Sequence, residues 1–169
     1  MSTFVKRCSV AAVLAIAAML PQAKLVNVSD EGLALIADAE GCRLAPYQDC
    51  GGVWTNGIGH TGGVNARSYI NEKMAALNFL WDVLRTENGV AACLLVRMPQ
   101  QVYDAAVSLA FNIGVRNFCG STMAALLKRG EWRNACLQLP RWVYVKKVRN
   151  AGLENRRGRE MGWCLKGAE

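Results

Sequence analysis

The segment from Glu40 to Thr61 differs from the rest of the chain, because glycine recurs throughout it while the flanking sequence follows helical spacing. Residues 41–62 contain six of the sixteen glycines. Glycine permits the tight turns and positive φ angles found between short strands, so a hairpin is expected here. A small hairpin inside a largely helical chain of 169 residues predicts an α+β fold.

Apolar residues at helical spacing, with capping residues at the ends, predict the helices around this hairpin. Ser29 is expected to cap a helix that ends at Gly41 and carries Glu40 at its carboxyl end. A second helix is expected from just after Asn71 to a stop at Gly89. The other predicted helical segments are Pro99 to Gly114, Ser121 to Gly130, 131–139 and 153–164.

Two carboxylates and a hydroxyl fall within the predicted hairpin region. Eight residues separate Glu40 from Asp49, and five separate Asp49 from Thr55. Glycoside hydrolysis needs a protonated carboxylic acid for the leaving oxygen and a second carboxylate that activates water. We therefore expect Glu40 to donate the proton, Asp49 to orient or activate the water, and Thr55 to help to hold that water.

The residues around these three complete a longer pattern. The stretch resembles the Glu-x8-Asp-x5-Thr and YxDxxGxWTxGxGHT signatures of phage-type lysozymes, the endolysin muramidases of glycoside hydrolase family 24. The other matching residues are Tyr47, Gly52, Trp54, Gly57, Gly59 and His60. Residues 110–122 resemble the family's AFNxG…FxxST segment, and residues 152–160 resemble its GLxxRRxxE signature. The resemblance covers residues 29–169.

The resemblance to this family implies both a fold and a reaction. It implies a small hairpin lobe joined by a long helix to a larger helical lobe, with the glycan bound in the cleft between them. It also implies an inverting hydrolase that cleaves the β-1,4 bond between N-acetylmuramic acid and N-acetylglucosamine in peptidoglycan, for host cell lysis. Inversion predicts carboxyl groups roughly 6.5–9.5 Å apart. No cofactor and no metal are expected.

Other residues of these motifs are candidates for binding the glycan or for holding the fold. Tyr47 is a candidate for stacking on a sugar ring, although its strand position is equally consistent with the core. Asn112 is a candidate for binding N-acetyl groups. We interpret His60 as structural, through a hydrogen bond to a backbone or carboxylate group. The three arginines within residues 156–159 form either a solvated or lobe-packing face or an envelope-binding patch.

The net charge of +7 favours anionic partners, which include nucleic acid, lipopolysaccharide, teichoic acids and peptidoglycan. One alternative function is a lytic transglycosylase, which uses a single catalytic glutamate and no water. Asp49 and Thr55, as residues that handle water, argue against it. Another alternative is a non-enzymatic basic protein that binds membranes or nucleic acid, for which the arginine cluster is thin support. We expect a monomer that acts on peptidoglycan and binds no nucleic acid.

The amino terminus resembles a targeting signal. Lys6 and Arg7 precede an uncharged stretch, residues 8–23, of which six are alanine. As a helix this stretch is about 24 Å long, short of the roughly 30 Å hydrocarbon core. It is either a cleaved signal peptide or an uncleaved signal-anchor that leaves the bilayer, as in signal-anchor-release endolysins. The second interpretation predicts an anchor and linker over 1–28 and a catalytic domain over 29–169, tethered to the inner membrane facing the periplasm and then released into the periplasm.

Seven cysteines indicate disulfide bonds in an oxidising compartment, because the chain has no CxxC pair and its single histidine offers little for a zinc site. Connectivity does not follow from the sequence. The pairing that we expect for the carboxyl-terminal half joins Cys136 to Cys164 and leaves Cys93 and Cys119 as another pair. The odd count leaves at least one thiol unpaired or exchanging partners.

Cys42 and Cys50 lie beside the predicted catalytic residues, and Cys8 lies in the predicted anchor. In one subgroup of the endolysins that this chain resembles, a cysteine in the anchor resolves an inhibitory disulfide at the active site. The second catalytic position here is Asp49 and not cysteine, so that arrangement does not transfer residue by residue. We expect either a permanent Cys42–Cys50 bond that staples the hairpin, or a Cys42–Cys50 bond that Cys8 opens by exchange after the anchor is released.

Overall fold

The computed structural model describes residues 8–169, so Lys6 and Arg7 lie outside the described residues. The chain divides into two compact units. The first comprises the residues up to Asn27 together with Ile36–Leu84, and the second comprises Val28–Leu35 together with Arg85–Glu169.

The first unit begins with a short apolar helix, α1 (Val10–Met19), whose Val13 and Ala17 side chains are buried. A 3-10 turn over Pro21–Leu25 follows. The uncharged stretch is therefore not a single helix, because Leu20 takes an extended conformation before Pro21 and ends α1. No helix within residues 8–169 is both long enough and apolar enough to span a bilayer.

The helix that carries Glu40 and the hairpin after it agree with the predictions. Helix α2 (Asp30–Glu40) begins after Ser29, whose Oγ accepts the Gly32 N–H at 3.0 Å. Gly41, with φ +70°, ends it in the left-handed conformation that glycine adopts without strain. Strands β1 (Arg43–Gln48) and β2 (Trp54–Gly57) then pair as an antiparallel hairpin.

Helix α3 (Glu72–Leu94) runs past the predicted stop at Gly89, so that prediction was wrong. A side chain at Gly89 would place its Cβ only 2.6 Å from a methyl carbon of Val115. Glycine at this position therefore permits close packing inside the helix, and it does not mark the helix end. The helix ends instead before Leu95, which has φ 51°.

The second unit is mostly helical, and its core lies among helices that include α4 and α8. The helices after α3 are α4 (Gln100–Ile113), α5 (Val115–Cys119), α6 (Thr122–Lys128), α7 (Trp132–Cys136) and α8 (Ala151–Lys166), with a 3-10 turn over Leu139–Arg141. Phe118, Met123 and Leu127 are completely buried in this core. Ser121 caps α6 by accepting the Ala124 N–H, and Gly114 with φ 86° ends α4, as predicted.

Some elements of the second unit were not predicted. Helix α5 was absent from the sequence-based assignment, as was a second antiparallel hairpin made of β3 (Tyr144–Val145) and β4 (Val148–Arg149). Helix α8 also begins earlier than predicted, after Asn150, whose side chain accepts the Leu153 N–H. The predicted α+β class, largely helical with small two-stranded sheets, is nevertheless confirmed.

Candidate active site

The turn between β1 and β2 holds Asp49 in a fixed orientation. Its Oδ1 accepts the N–H groups of Gly51 and Val53, each at 2.8 Å, so the side chain closes the turn upon itself. The Asp49 N–H in turn donates to the Val53 carbonyl oxygen at 3.0 Å. The residue itself is exposed, and both of these side-chain bonds end on Oδ1. The bonds to Gly51 and Val53 therefore leave Oδ2 of this exposed side chain to other partners.

Thr55 lies in β2, two residues after Val53. It is 4% exposed, and its Oγ1 donates to the Val53 carbonyl oxygen at 3.1 Å. That carbonyl therefore accepts both the Thr55 hydroxyl and the Asp49 N–H. The hydrogen bonds within the seven residues from Asp49 to Thr55 thus orient both the carboxylate and the hydroxyl.

Glu40 lies against the turn that follows β2. This turn is closed by Asn56 and His60, which exchange two backbone hydrogen bonds of 2.9 Å. Within it, Gly59 has φ +70°, and a Cβ at this position would lie 3.0 Å from Glu40 Oε2 and 3.3 Å from its Cδ. The absence of a side chain at Gly59 therefore makes room for the Glu40 carboxyl group.

His60 anchors the same turn to α3. Its Nδ1 lies 2.6 Å from Asp82 Oδ2, and each side chain is 14% exposed. This is a carboxylate contact of the kind expected from the interpretation of His60 as structural. The pair holds in place the turn on which Glu40 rests.

Tyr47 lies opposite Thr55 in the hairpin and is electrostatically linked to both carboxylates. Burial raises the pKa of the Tyr47 phenol above its usual value of 10, and the carboxylates of Glu40 and Asp49 raise it further, while Arg43 lowers it. The Arg43 guanidinium covers the ring at 4.4 Å from its centroid. The Tyr47 phenol is therefore within electrostatic reach of both candidate catalytic carboxylates.

Asn112, in the second unit, is exposed, but its side chain is held by a buried cation. Arg157 donates through Nη2 to Asn112 Oδ1, and it also donates through Nε to the Trp142 carbonyl oxygen at 3.0 Å. With its oxygen engaged by Arg157, the amide of Asn112 offers its Nδ2 hydrogens to a ligand. The amide is therefore oriented as a hydrogen-bond donor.

Two of the three clustered arginines are buried, which corrects their interpretation as a solvated face or an envelope-binding patch and favours the alternative that they pack against the fold. Arg156 is 5% exposed and Arg157 is 1% exposed, and both pair with Glu160, which is completely buried. Ser108 donates to the same carboxylate at 2.6 Å. The network ties α8 to α4, and the spacing of Arg156 and Glu160, four residues apart on one helix, was the sequence signal for it.

A cavity of about 310 Å³ lies in the second unit, between the start of α6 and the 3-10 turn. Trp142, Gln138, Asn117 and Arg141 are among its lining residues. An aromatic ring combined with amides and a cation suits a ligand that has both polar and apolar faces.

Six of the seven cysteines form disulfide bonds. The bonded pairs are Cys8–Cys42, Cys93–Cys119 and Cys136–Cys164. Cys50, next to Asp49, is an exposed free thiol. In this structure Cys42 is therefore bonded to the predicted anchor and not to its neighbour in the hairpin.

A glutamate at a helix end, followed by a hairpin that presents an aspartate and a threonine, is the arrangement that the sequence led us to expect of a lysozyme-type glycoside hydrolase. Residues 37–160 match the phage lysozyme family model. The chain belongs to the phage lysozyme family. It is a muramidase, a glycoside hydrolase with the function of an endolysin in host cell lysis.

Relatives and solved structures agree with this assignment. The SAR-endolysin of Escherichia phage P1 is 32% identical over 154 residues, which cover 84% of this chain and 83% of that protein. The SAR-endolysin of Enterobacteria phage P21 is 33% identical over 132 residues, covering 77% and 79%.

Two crystal structures of the P1 phage endolysin Lyz match this fold to different degrees. Its active form aligns with a TM-score of 0.85 and 31% identity, over 96% of this chain and 97% of that one. Its secreted inactive form aligns with a TM-score of 0.59 and 30% identity, over 84% and 97%. The chain therefore resembles the active form more closely.

Proposed function

We propose that Glu40, Asp49 and Thr55 carry out an inverting hydrolysis of the β-1,4 bond between N-acetylmuramic acid and N-acetylglucosamine in peptidoglycan. The observation that carries this assignment is the shared anchor of Asp49 and Thr55. The Thr55 hydroxyl donates to the Val53 carbonyl oxygen and the Val53 N–H donates to Asp49 Oδ1, so one residue orients both side chains, which supports their binding the same water.

The hydrogen-bond pattern assigns a donor or acceptor role to each group. Thr55 donates its hydroxyl hydrogen to Val53, so its remaining lone pairs accept a hydrogen from water. Asp49 accepts two backbone N–H groups on Oδ1, which leaves Oδ2 to accept the other hydrogen of the same water. With both hydrogens bound, the water directs an oxygen lone pair at the anomeric carbon.

The bond is cleaved in one displacement. Glu40 gives its proton to the glycosidic oxygen as the bond to the anomeric carbon breaks, and water attacks that carbon from the opposite face. Asp49 takes the proton that the water releases, so charge and atoms balance. This scheme predicts inversion at the anomeric carbon, and it requires room for one water between the two carboxyl groups.

Each of the two units contains groups that are suited to substrate recognition. Tyr47 keeps one face of its ring covered by Arg43, which favours a role beside the sugar at the carboxylates. Asn112 offers an oriented N–H donor that suits the carbonyl oxygen of an N-acetyl group. The cavity lined by Trp142 and Gln138 suits further sugar or peptide parts of the polymer.

Substitutions at the three residues test these roles. Glu40→Gln should abolish murein hydrolysis while the protein stays folded, because an amide donates no proton to the leaving oxygen. Asp49→Asn should cost heavily but less completely, since Thr55 still holds the water. Thr55→Ser should retain most activity and Thr55→Val should lose about 10²-fold. More than a few per cent of wild-type turnover in folded Glu40→Gln would refute the assignment.

We further infer that residues 1–28 act as a signal-anchor and residues 29–169 as the catalytic domain. The protein would then be exported, held at the inner membrane facing the periplasm and later released. The names of the P1 and P21 relatives support this inference. Helix α1 supports it as well, since Ala11, Ala15 and Ala18 are exposed on it, and such small apolar groups tolerate both lipid and water.

The cysteines supply a means of control. Before release, Cys42 and Cys50 are bonded and constrain the segment between Glu40 and Asp49. After release, the Cys8 thiolate attacks the Cys42 sulfur, the Cys42–Cys50 bond breaks, and Cys50 leaves as a thiolate, so no external oxidant is needed. The Cys8–Cys42 bond, the free Cys50 thiol and the closer likeness to the active P1 enzyme support this sequence of events.

Peptide mapping of disulfides before and after membrane depolarisation tests the exchange. We expect the Cys42–Cys50 peptide before and the Cys8–Cys42 peptide after depolarisation, with murein hydrolysis rising in parallel. Cys8→Ser should be exported and remain inactive. A Cys42–Cys50 bond in fully active enzyme would reduce that pair to a structural staple and leave tethering as the only restraint.

A further inference from the structure

The second hairpin, β3 and β4, exposes apolar side chains for which the muramidase reaction has no use. Tyr144 is 57% exposed, Val145 is 41% exposed and Val148 is 69% exposed. Val145 and Val148 face each other across the strands, so their side chains lie together on one face. The hairpin therefore carries a small apolar patch at the surface of the second unit.

Two lysines form the tip of this hairpin in a backbone conformation that lysine rarely adopts. Lys146 has φ 47° and Lys147 has φ 66°. A two-residue turn with positive φ at both positions strongly favours asparagine and glycine, which adopt it with less strain. Lysine at both positions therefore destabilises the turn. An interaction of the two charges with a binding partner explains their presence.

The charged residues of the hairpin and of the sequence immediately flanking it are all basic. Residues 132–153 contain five basic residues and no acidic residue. Arg149 pairs with Glu154 on α8, while Lys146 and Lys147 project with the tip into solvent. The tip thus presents two cations directly beside two exposed valines.

From these features we propose that the β3–β4 hairpin is a second membrane contact, which binds the surface of a bilayer rich in anionic phospholipid. The lysines pair with headgroup phosphates, and the valines enter the boundary between headgroups and acyl chains. This contact lies in the second unit and is separate from the amino-terminal segment. It would keep the enzyme at the membrane surface after the anchor has left the bilayer.

The apolar component favours a lipid surface over the peptidoglycan itself. The stem peptides and sugars of peptidoglycan are polar and strongly hydrated, so they would match the lysines but leave the valines without a partner. The surface of an anionic bilayer has charged headgroups above apolar acyl chains, so it accommodates the lysines and the valines at once. Binding to lipid is also measurable without murein, so it succeeds or fails independently of the assigned hydrolysis.

Vesicle binding by the full chain with its Cys8–Cys42 bond intact tests the proposal. Co-sedimentation is measured with vesicles of equal parts phosphatidylglycerol and phosphatidylcholine, and with phosphatidylcholine alone. The informative variant is Lys146→Asn with Lys147→Gly, which removes both charges while supplying the residues that the turn favours. We expect unchanged or higher thermal stability and about 25-fold weaker binding to anionic vesicles, from about fivefold for each lysine. Binding to neutral vesicles should not change, since it reports the amino-terminal segment common to all variants.

A charge-matched control distinguishes the hairpin from a general effect of net charge. Arg116→Gln with Lys128→Gln also removes two exposed cations from the second unit, and it should change anionic binding by less than about threefold. Equal losses in the two variants, or undiminished binding by the Asn–Gly variant, would overturn the proposal. A loss of murein turnover without lipid in the Asn–Gly variant would also overturn it, by making the hairpin a glycan contact.

Discussion

Gly59→Ala should reduce catalysis because it moves the Glu40 carboxyl group, although it replaces no ionisable residue. The new Cβ would lie 3.0 Å from Oε2, and an ordinary contact needs at least 3.4 Å, so the oxygen must move by about 0.4 Å. Misplacement by 1 Å costs about 10²-fold in rate, so this shift should lower kcat by about five- to tenfold. Alanine at φ +70° should also cost about 1–2 kcal/mol of stability.

Gly63→Ala provides the matched control for this prediction. Gly63 has the same φ of +70°, but no atom of residues 8–169 lies within 4 Å of the Cβ that would be added. Its stability loss should therefore match that of Gly59→Ala, while kcat on purified murein stays near the wild-type value. Thermal unfolding and initial rates separate the two effects. Equal kcat values for the two variants would show that Gly59 does not set the position of Glu40.

Two further predictions concern stability. Burial, followed by the Glu87 carboxylate, raises the pKa of the Tyr103 phenol, so the folded state keeps a proton that the unfolded state releases above about pH 10. Stability should therefore fall above that pH, and Tyr103→Phe should reduce this fall in urea unfolding, measured with Cys50→Ser present to prevent exchange. His60→Gln should lower the free energy of unfolding by about 2 kcal/mol but leave kcat within about threefold of the wild-type value. Because His60 and Asp82 contact each other, the stability losses of His60→Gln and Asp82→Asn should not add in the double mutant. Additive costs, or an inactive folded His60→Gln, would contradict a structural His60.

The parts of the fold that follow from neighbouring residues were predictable from the sequence. The cap at Ser29, the left-handed Gly41 and the stop at Gly114 each depend on contacts within a few residues. The candidate site belongs to the same category, because the bonds that hold Asp49 and Thr55 all lie within one turn. Short-range geometry of this kind is encoded by residue type and spacing.

The features that were not predicted depend on distant parts of the chain. Gly89 reads as a helix stop until its contact with Val115 is known. An arginine at position 157 is typical of a surface, and only its bond to Asn112, 45 residues earlier, accounts for its burial. The tip at Lys146 has no glycine or asparagine to indicate a turn. In each case the residue type favours one local structure, and packing or pairing elsewhere produces another.

The chemistry of the cleaved end distinguishes hydrolysis by Glu40, Asp49 and water from transglycosylation. Purified murein would be digested in water enriched in oxygen-18, and the released fragments would be analysed by mass spectrometry. Hydrolysis should give fragments that end in reducing N-acetylmuramic acid and carry one heavy oxygen from the water held by Asp49 and Thr55. Fragments that end in 1,6-anhydro-N-acetylmuramic acid, with no oxygen from solvent, would contradict it and assign the enzyme to the lytic transglycosylases.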